Sequence, residues 1–600
     1  MTFSAIFVLV VLIAMFLVLV FDKMRPGLTL FCAAVLIMSF GIITPSELVS
    51  GFSNTGMLTV ALLFLVSEGI RQTGALNGVI TSLLPNKKSS ISKILARLLP
   101  SIAAFSAFLN NTAVVVIFAP IIKRWADNMN ISATKFLIPL SYATILGGVC
   151  TLIGTSTNLV VDGMMQDNGY AGFTLFELGK VGIFITILGL IYLIFFSKYL
   201  LPGMRGAARN QESQKEYYYI VRILPSSKLI GLTNKNPEVG NILPDMVIVN
   251  IKRKGECLDN SIPIVLQEGD TLLVGGSVSS TYKLFASKDV RLTCLEKVQS
   301  NFKAEEVTQA EVVLAPRFPG LKSTLGEFDF YRHYGALVLS VHRNGESLNG
   351  DLDELVLQEG DNLVLLTNSS FLKTWGKSSV FYLVTEDNDY VAPSSTVKRY
   401  LAAILVLLMV IGAVFGENIN SVDGKPLGMF FFAAVTVFIM AALRIFPDRK
   451  YTKFISWDIL IAIAAAFAIS KAMFNSGIAD EIATLLIDIS AGANPHVVLM
   501  IMYIITAMCT ELITNNAAAA LMFPIALSIS NQLGVNPYPF FVTICVAASA
   551  SFMTPIGYQT NLIVQSIGNY KFTDYWKVGA PLAVIVFVVT VLLVPLFWAF

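Results

Sequence analysis

The stretches FLNNTAVVV (108–116) and LITNNAAAA (512–520) decide how this chain is read. Each places a polar tip, Asn110-Asn111-Thr112 or Thr514-Asn515-Asn516, inside an apolar run, Ile94–Ile122 or Val498–Ile529. Both runs are longer than the ~20 residues one bilayer crossing needs. Irregular backbone at membrane depth is tolerated only where it is buried in protein or lines a cavity. Each run is therefore expected to be a re-entrant helical hairpin whose tip faces a cavity.

The motifs come in pairs. NNTAVVVIFAP (110–120) answers TNNAAAALMFP (514–524), and TLIGTSTNLVV (151–161) answers FMTPIGYQTNLIV (552–564). The second pair carries two helix breaks, Gly154-Thr155-Ser156-Thr157-Asn158 and Gly557-Tyr558-Gln559-Thr560-Asn561. Around these motifs lie ten apolar runs of spanning length: Ser4–Phe21, Leu28–Ile43, Asn54–Ile70, Phe136–Ile153, Gly182–Leu200, Tyr400–Phe415, Gly428–Leu443, Trp457–Phe474, Tyr538–Thr554 and Ala580–Phe600. The expected fold is an α-helical polytopic membrane protein with inverted repeats, five spans plus one re-entrant hairpin per half. An odd number of crossings forces the second half to be inverted relative to the first.

Composition agrees, with 55% hydrophobic and 14% charged residues in 600, far more apolar surface than soluble domains bury. Met1–Phe21 lacks the basic start and small-residue cleavage site of a signal peptide and is read as the first span. The six Cys show no C-x-x-C or Cys/His spacing, so no disulfide framework or other metal site is implied. His333, His342 and His496 lie outside the motifs. No Ser/His/Asp or Cys/His constellation and no Walker A sequence is present, so neither an enzyme nor an ATP-driven pump is expected, and no nucleic-acid partner.

Residues 201–395 differ, with clustered charge and short alternating runs. VNIKRKGECL (249–258) recurs as LSVHRNGESL (339–348), and IVLQEGDTLLV (264–274) as LVLQEGDNLVL (355–365). An inserted α+β soluble tandem domain is expected, dividing the chain into a first membrane repeat (1–200), two soluble lobes (201–300 and 301–395) and a second repeat (396–600). If the insert is cytoplasmic, the inner loops hold Lys23, Arg25, Arg71, Lys135, Lys198, Arg444, Lys571, Lys577 and many others, and the outer ones only Lys180, Lys425 and Lys471.

A broken helix at mid-membrane exposes N–H groups at one end, which suit anions, and carbonyls at the other, which suit cations. The tips and breaks add hydroxyls and amides but no Lys or Arg. A dianion held there needs bound cations to offset its charge. These hydroxyls and amides can serve either ligand, and the anion is expected among Asn111, Thr112, Thr155, Ser156, Asn515, Asn516 and Thr560. Ser106 and Thr510, one turn before the tips, are candidate cation ligands, unless they bond back to their own helices. Glu511 is the one ionisable residue beside a tip, read first as structural and alternatively as cation-coupling; Glu68 is expected to snorkel to the interface.

At the tips and breaks the chain resembles the divalent anion:sodium symporter family, over both membrane halves. The resemblance implies two sodium sites, here Ser106, Asn110, Asn111 and Gly154, and Thr510, Thr514, Asn515 and Gly557. It also implies an anion between them, Na⁺ as coupling ion, no other cofactor, and elevator-like movement, usually within a homodimer. The tips read NNT and TNN where the family has SNT, and Ser156-Thr157 and Gln559-Thr560 replace Pro-Pro. That variant, with its insert, resembles the sulfate-transporter-like branch. The paired lobes resemble the C-terminal domains of potassium-conductance regulators (RCK), which implies a small cytoplasmic ligand. The expectation is a multi-pass protein of the plasma membrane lipid bilayer carrying a small dianion, sulfate first. The alternatives are a di- or tricarboxylate carrier and, in another class, an ion channel gated by the lobes.

Overall fold

The computed structural model describes residues 2–203 save 22, 86–88 and 130, most of 217–386, and 396–600 save 417–418, 420–426, 447 and 491–493. The chain folds as two compact units, one of Met1–Pro202 with Pro393–Phe600 and one of Gly203–Ala392. The links expected at 201–216 and 387–398 lie largely outside the described residues.

In the first half of the membrane unit α1 is Phe3–Val20, α2 Pro26–Ser39, α3 Pro45–Ser50, α4 Thr55–Thr73, α5 Asn77–Leu83, α6 Ile91–Ser106, α7 Asn111–Asn128, α8 Leu137–Gly148, α9 Ser156–Asp167 and α10 Gly179–Leu200. In the second half α11 is Thr396–Gly416, α12 Met429–Ala442, α13 Trp457–Ser476, α14 Ile478–Ile489, α15 Pro495–Leu512, α16 Asn515–Leu533, α17 Tyr538–Ser549, α18 Gln559–Gly568 and α19 Phe572–Phe597. From α4 and α13 onward the two halves run through the same helices in the same order. Both α4 and α13 end on a left-handed glycine, Gly74 and Gly477, which closes the helix where a Cβ would be strained. Asn54 caps α4 by accepting from Gly56 N and Met57 N.

Among the described residues six helices are long and apolar enough to cross a membrane, seven if the bent pair at 45–73 is one span, and α2, α12 and α17 are shorter apolar helices. The protein is thus helical and multi-pass. The runs expected to span at Phe136–Ile153 and Tyr538–Thr554 stop early, at Gly148 and Ser549. Each resumes beyond its break as α9 or α18. All of α8 and nearly all of α17 are buried, which sets both breaks at the centre of the unit. Glu68 is paired at the end of α4: Arg71 Nε and Nη2 donate to its two oxygens at 2.8 and 2.7 Å, and Gln72 Nε2 donates at 2.6 Å.

The chain leaves this unit after α10, where an outside cation caps the helix end. Lys135 Nζ donates to Lys198 O at 2.7 Å and Leu201 O at 2.5 Å, and Thr134 Oγ1 to Pro202 O at 3.0 Å. Burial lowers the Lys135 pKa.

Among the described residues the second unit holds ten strands: β1 Tyr217–Ile223, β2 Met246–Arg253, β3 Glu256–Leu258, β4 Thr271–Gly276, β5 Val290–Leu292, β6 Val307–Leu314, β7 Leu337–Arg343, β8 Glu346–Ser347, β9 Asn362–Asn368 and β10 Phe381–Glu386. They form two antiparallel sheets, ordered β3-β2-β4-β1-β5 and β10-β6-β9-β7-β8, the same order read from opposite ends. Each LQEGD aspartate is buried and held by one arginine. Arg253 donates to both oxygens of Asp270 at 2.8 Å, and Arg343 to those of Asp361 at 2.7 and 2.8 Å. Leu337, Leu339, Val364 and Leu366 of the second sheet join the core of the first.

Candidate functional site

Each break is built by the same bonds. Asn158 Nδ2 donates to Thr151 O at 2.9 Å and Gly148 O at 3.4 Å; Asn561 Nδ2 donates to Thr554 O at 3.2 Å and Ser551 O at 2.9 Å. Thr151 Oγ1 accepts from Gly154 N and donates to Ala107 O behind the first tip. Thr554 Oγ1 accepts from Gly557 N and donates to Glu511 O behind the second. A Cβ on Gly154 would lie 2.6 Å from Gly148 O, and one on Gly557 2.5 Å from Thr510 O, so only glycine permits either approach.

The tips then cross over to the opposite break. The Asn111 amide, oriented from its hydrogen-bond neighbours, donates to Thr144 O at 3.0 Å, Gly154 O at 3.2 Å and Ser106 Oγ at 2.6 Å. Its oxygen accepts from the Tyr558 hydroxyl at 2.8 Å. Tyr558 OH also lies 3.1 Å from Thr155 Oγ1. In the other direction, Asn515 Nδ2 donates to Thr157 Oγ1 at 2.7 Å and Ser156 Oγ to Asn516 Oδ1 at 3.0 Å. Ser141 Oγ donates to Asn561 Oδ1 at 2.7 Å and Thr560 Oγ1 at 2.9 Å.

The structure thus brings together the residues singled out in the sequence and sorts them. Ser106, Asn111, Thr155, Thr510, Asn516 and Thr560 are buried; Asn110, Thr112, Ser156, Thr514 and Asn515 are half-buried. Neither candidate helix hydroxyl bonds back to its own helix, since Ser106 meets Asn111 and Thr510 Oγ1 donates to Ala548 O at 2.6 Å. Asn110 Oδ1 is taken up in capping α7 through Thr112 N at 2.9 Å. Glu511 is buried and held by the second break, accepting from Met553 N at 2.8 Å, Thr554 N at 2.9 Å and Ser551 Oγ at 3.2 Å.

Sequence reasoning placed Tyr558 in the second break, and Thr151 and Thr554 in the quoted motifs, but gave none of the three a role at the site. The two threonines stood in the matched motifs three residues before each glycine, a signal open to reading; the reach of Tyr558 into the opposite half was not. Asn158 Oδ1 is buried with no hydrogen-bond partner. Among the described residues no group of three or more His, Cys, Asp or Glu could hold a metal ion. The site offers oxygens and neutral donors, a chemistry of ion binding rather than of bond-making.

Crossed broken helices of this kind, buried in a multi-pass helical unit, define a membrane transporter. The chain belongs to the citrate transporter family (CitMHS), whose profile matches residues 16–544 and 512–600. An uncharacterized transporter of Synechocystis is 33% identical over 98% of this chain and 96% of its own length. Sodium/sulfate cotransporter 1 of Chlamydomonas reinhardtii is 26% identical over 95% of this chain and 87% of its own. The rat Na(+)/citrate cotransporter is 30% identical, but over 21% of this chain and 22% of its own length. The family and these relatives are transporters, not enzymes.

Proposed function

We propose that this transporter couples Na⁺ to the movement of a small dianion, sulfate first, across the plasma membrane. The observation that carries the reading is the meeting of both tips and both breaks in one set of hydroxyls and amides with no Lys or Arg among them. Such a set binds an oxyanion through neutral donors and leaves its charge to be offset by cations. The cation sites are assigned to Ser106, Asn110, Asn111 and Gly154, and to Thr510, Thr514, Asn515 and Gly557. The orphaned Asn158 Oδ1 supports an electropositive guest near the first of them. The anion site is Asn111, Thr112, Thr155, Ser156, Asn515, Asn516 and Thr560.

The matched order of helices supports two inverted halves, and the cross-bonding of tips to breaks supports their moving as one body in an elevator-type alternation. A homodimer completes this reading. The lobes 201–300 and 301–395, matched in strand order and in their Arg–Asp pairs, are proposed as cytoplasmic RCK-like regulators that bind a small ligand and bias the inward–outward equilibrium. The sulfate reading is supported by the likeness, at nearly full length, to the algal sodium/sulfate cotransporters. A carboxylate substrate is the second reading, favoured by the family's description and by the rat relative.

The test is uptake of labelled sulfate and labelled succinate into proteoliposomes, with Na⁺ and with choline in its place. Sulfate uptake that collapses in choline is expected. Succinate uptake alone favours the second reading, and uptake indifferent to Na⁺ ends the coupling proposal.

A further inference from the structure

Away from the tips and breaks, α10 and α19 leave an apolar groove between them. It is about 430 Å³ in volume, within the range of ligand pockets, roughly 300–1,000 Å³, and open along its length. Leu188, Ile191, Tyr192 and Phe196 line one wall; Val584, Ile585, Val588 and Val589 line the other. Both helices are long and apolar enough to span, and they turn Ile187, Phe195, Val584 and Leu592 outward. Towards the end of α10 and the start of α19, a hydrogen bond from Tyr192 OH to Val578 O at 2.9 Å ties the two walls together.

That end is basic. Helical periodicity carries the wall residue Ile191 to Lys198 seven residues on, and Val584 back to Lys577 seven residues before, so each lysine continues its own wall. Beside them stand exposed Tyr199 and Trp576, aromatic residues of the kind that sit at headgroup level. Lys198 Nζ lies 4.7 Å from the Tyr199 ring centre. Neither ammonium makes a salt bridge with a described carboxylate. An apolar trough that ends in two uncompensated cations matches a molecule with a hydrocarbon chain and an anionic head.

We propose that the α10–α19 groove is a binding site for one anionic phospholipid, its acyl chain between the two walls and its phosphate at Lys198 and Lys577. The two lysines set the headgroup preference and the valines of α19 set the fit of the chain. A zwitterionic lipid fills the same trough without the charge term, so selectivity separates this site from ordinary solvation by the bilayer.

The experiment is native mass spectrometry of the full chain in mild detergent, with phosphatidylglycerol and phosphatidylcholine offered at equal concentration. The wild type is expected to retain phosphatidylglycerol several-fold over phosphatidylcholine. Lys198→Gln with Lys577→Gln should erase the preference while leaving some lipid bound, and Val588→Trp, which fills the groove, should strip both lipids. Thermal unfolding adds a readout: phosphatidylglycerol should raise the wild-type midpoint and not that of the double variant. Equal retention of the two lipids by the wild type, or an undiminished preference in the double variant, overturns the proposal. So does a wild-type dimer that Val588→Trp splits without loss of lipid, since the groove would then be covered by a second copy. If Val588→Trp does not fold, the double variant decides alone.

Discussion

At the first break the amide oxygen of Asn158 is buried and has no partner, and Ala107 stands behind the tip. At the second, Asn561 Oδ1 accepts from Ser141, and Glu511 sits three residues before the tip with its carboxylate on Met553 N and Thr554 N. The backbone geometry is the same in both, carried by Asn158 and Asn561 and by Thr151 and Thr554. What differs is charge and saturation: one break is closed by a carboxylate and fully bonded, the other is neutral and one bond short. Repetition fixes the scaffold of a paired site, and single substitutions upon it suffice to make its two halves unequal.

Substitution at the tips should have the largest effect. Asn111→Ala and Asn515→Ala are each expected to lower uptake by about 10- to 100-fold, the worth of a hydrogen bond to a charged ligand, ~1.5–3 kcal/mol. They should part on stability. Asn111 is buried with four partners, and its loss should cost a further ~1–3 kcal/mol in unfolding, whereas half-buried Asn515, whose side chain bonds to Thr157, should cost little. Equal unfolding midpoints for the two variants would remove the distinction drawn here.

The paired arginines of the soluble unit offer a control outside the membrane. Arg343→Met leaves Asp361 buried and unpaired and is expected to destabilise that unit by about 2–3 kcal/mol, less than a fully buried pair because the guanidinium is partly exposed. Uptake measured in proteoliposomes at matched incorporation should remain Na⁺-driven and saturable. Complete loss of uptake in properly inserted protein would place the lobes in the transport machinery.

Glu511→Gln sharpens the comparison between the breaks. An amide cannot accept from two N–H groups and a hydroxyl as the carboxylate does, so a loss of ~1–3 kcal/mol is expected in thermal unfolding. If the residue is structural, the Na⁺ concentration for half-maximal uptake should stay where it is. A shifted Na⁺ dependence at unchanged stability reverses that assignment. The smallest difference is expected between Asn158→Ala and Asn561→Ala: the second removes one more satisfied bond and should cost ~1 kcal/mol more, read from paired unfolding curves.

Polar residues stranded in apolar runs made the tips legible, and the repeat made the breaks legible. The early ends of α8 and α17 were not, because the residues that end the first, Val149–Ile153, are mostly apolar and hydropathy runs straight through them. Nor could sequence show that each tip bonds to the opposite break, since Asn111 and Tyr558 are 447 residues apart. The pairing of Glu68 with the Arg three residues on is a local i,i+3 contact that the sequence offered and hydropathy alone passed over. The soluble repeat revealed its strands through alternation, but not that its LQEGD aspartates are paired inward to arginine.

The cap on α10 carries a mechanical consequence. The strand of chain that leaves for the soluble unit does not hang from the helix end by one covalent bond, because Lys135 and Thr134 hold Lys198, Leu201 and Pro202 from the side. Residues 133–135 are themselves gripped by Tyr570, whose hydroxyl donates to Thr134 O and accepts from Ile138 N. The contacts of Pro202 therefore run on to the loop that follows the first hairpin and to Tyr570, two residues before α19. Cutting the Lys135 side chain back to methionine would remove two of these three bonds and leave the exit held by Thr134 alone.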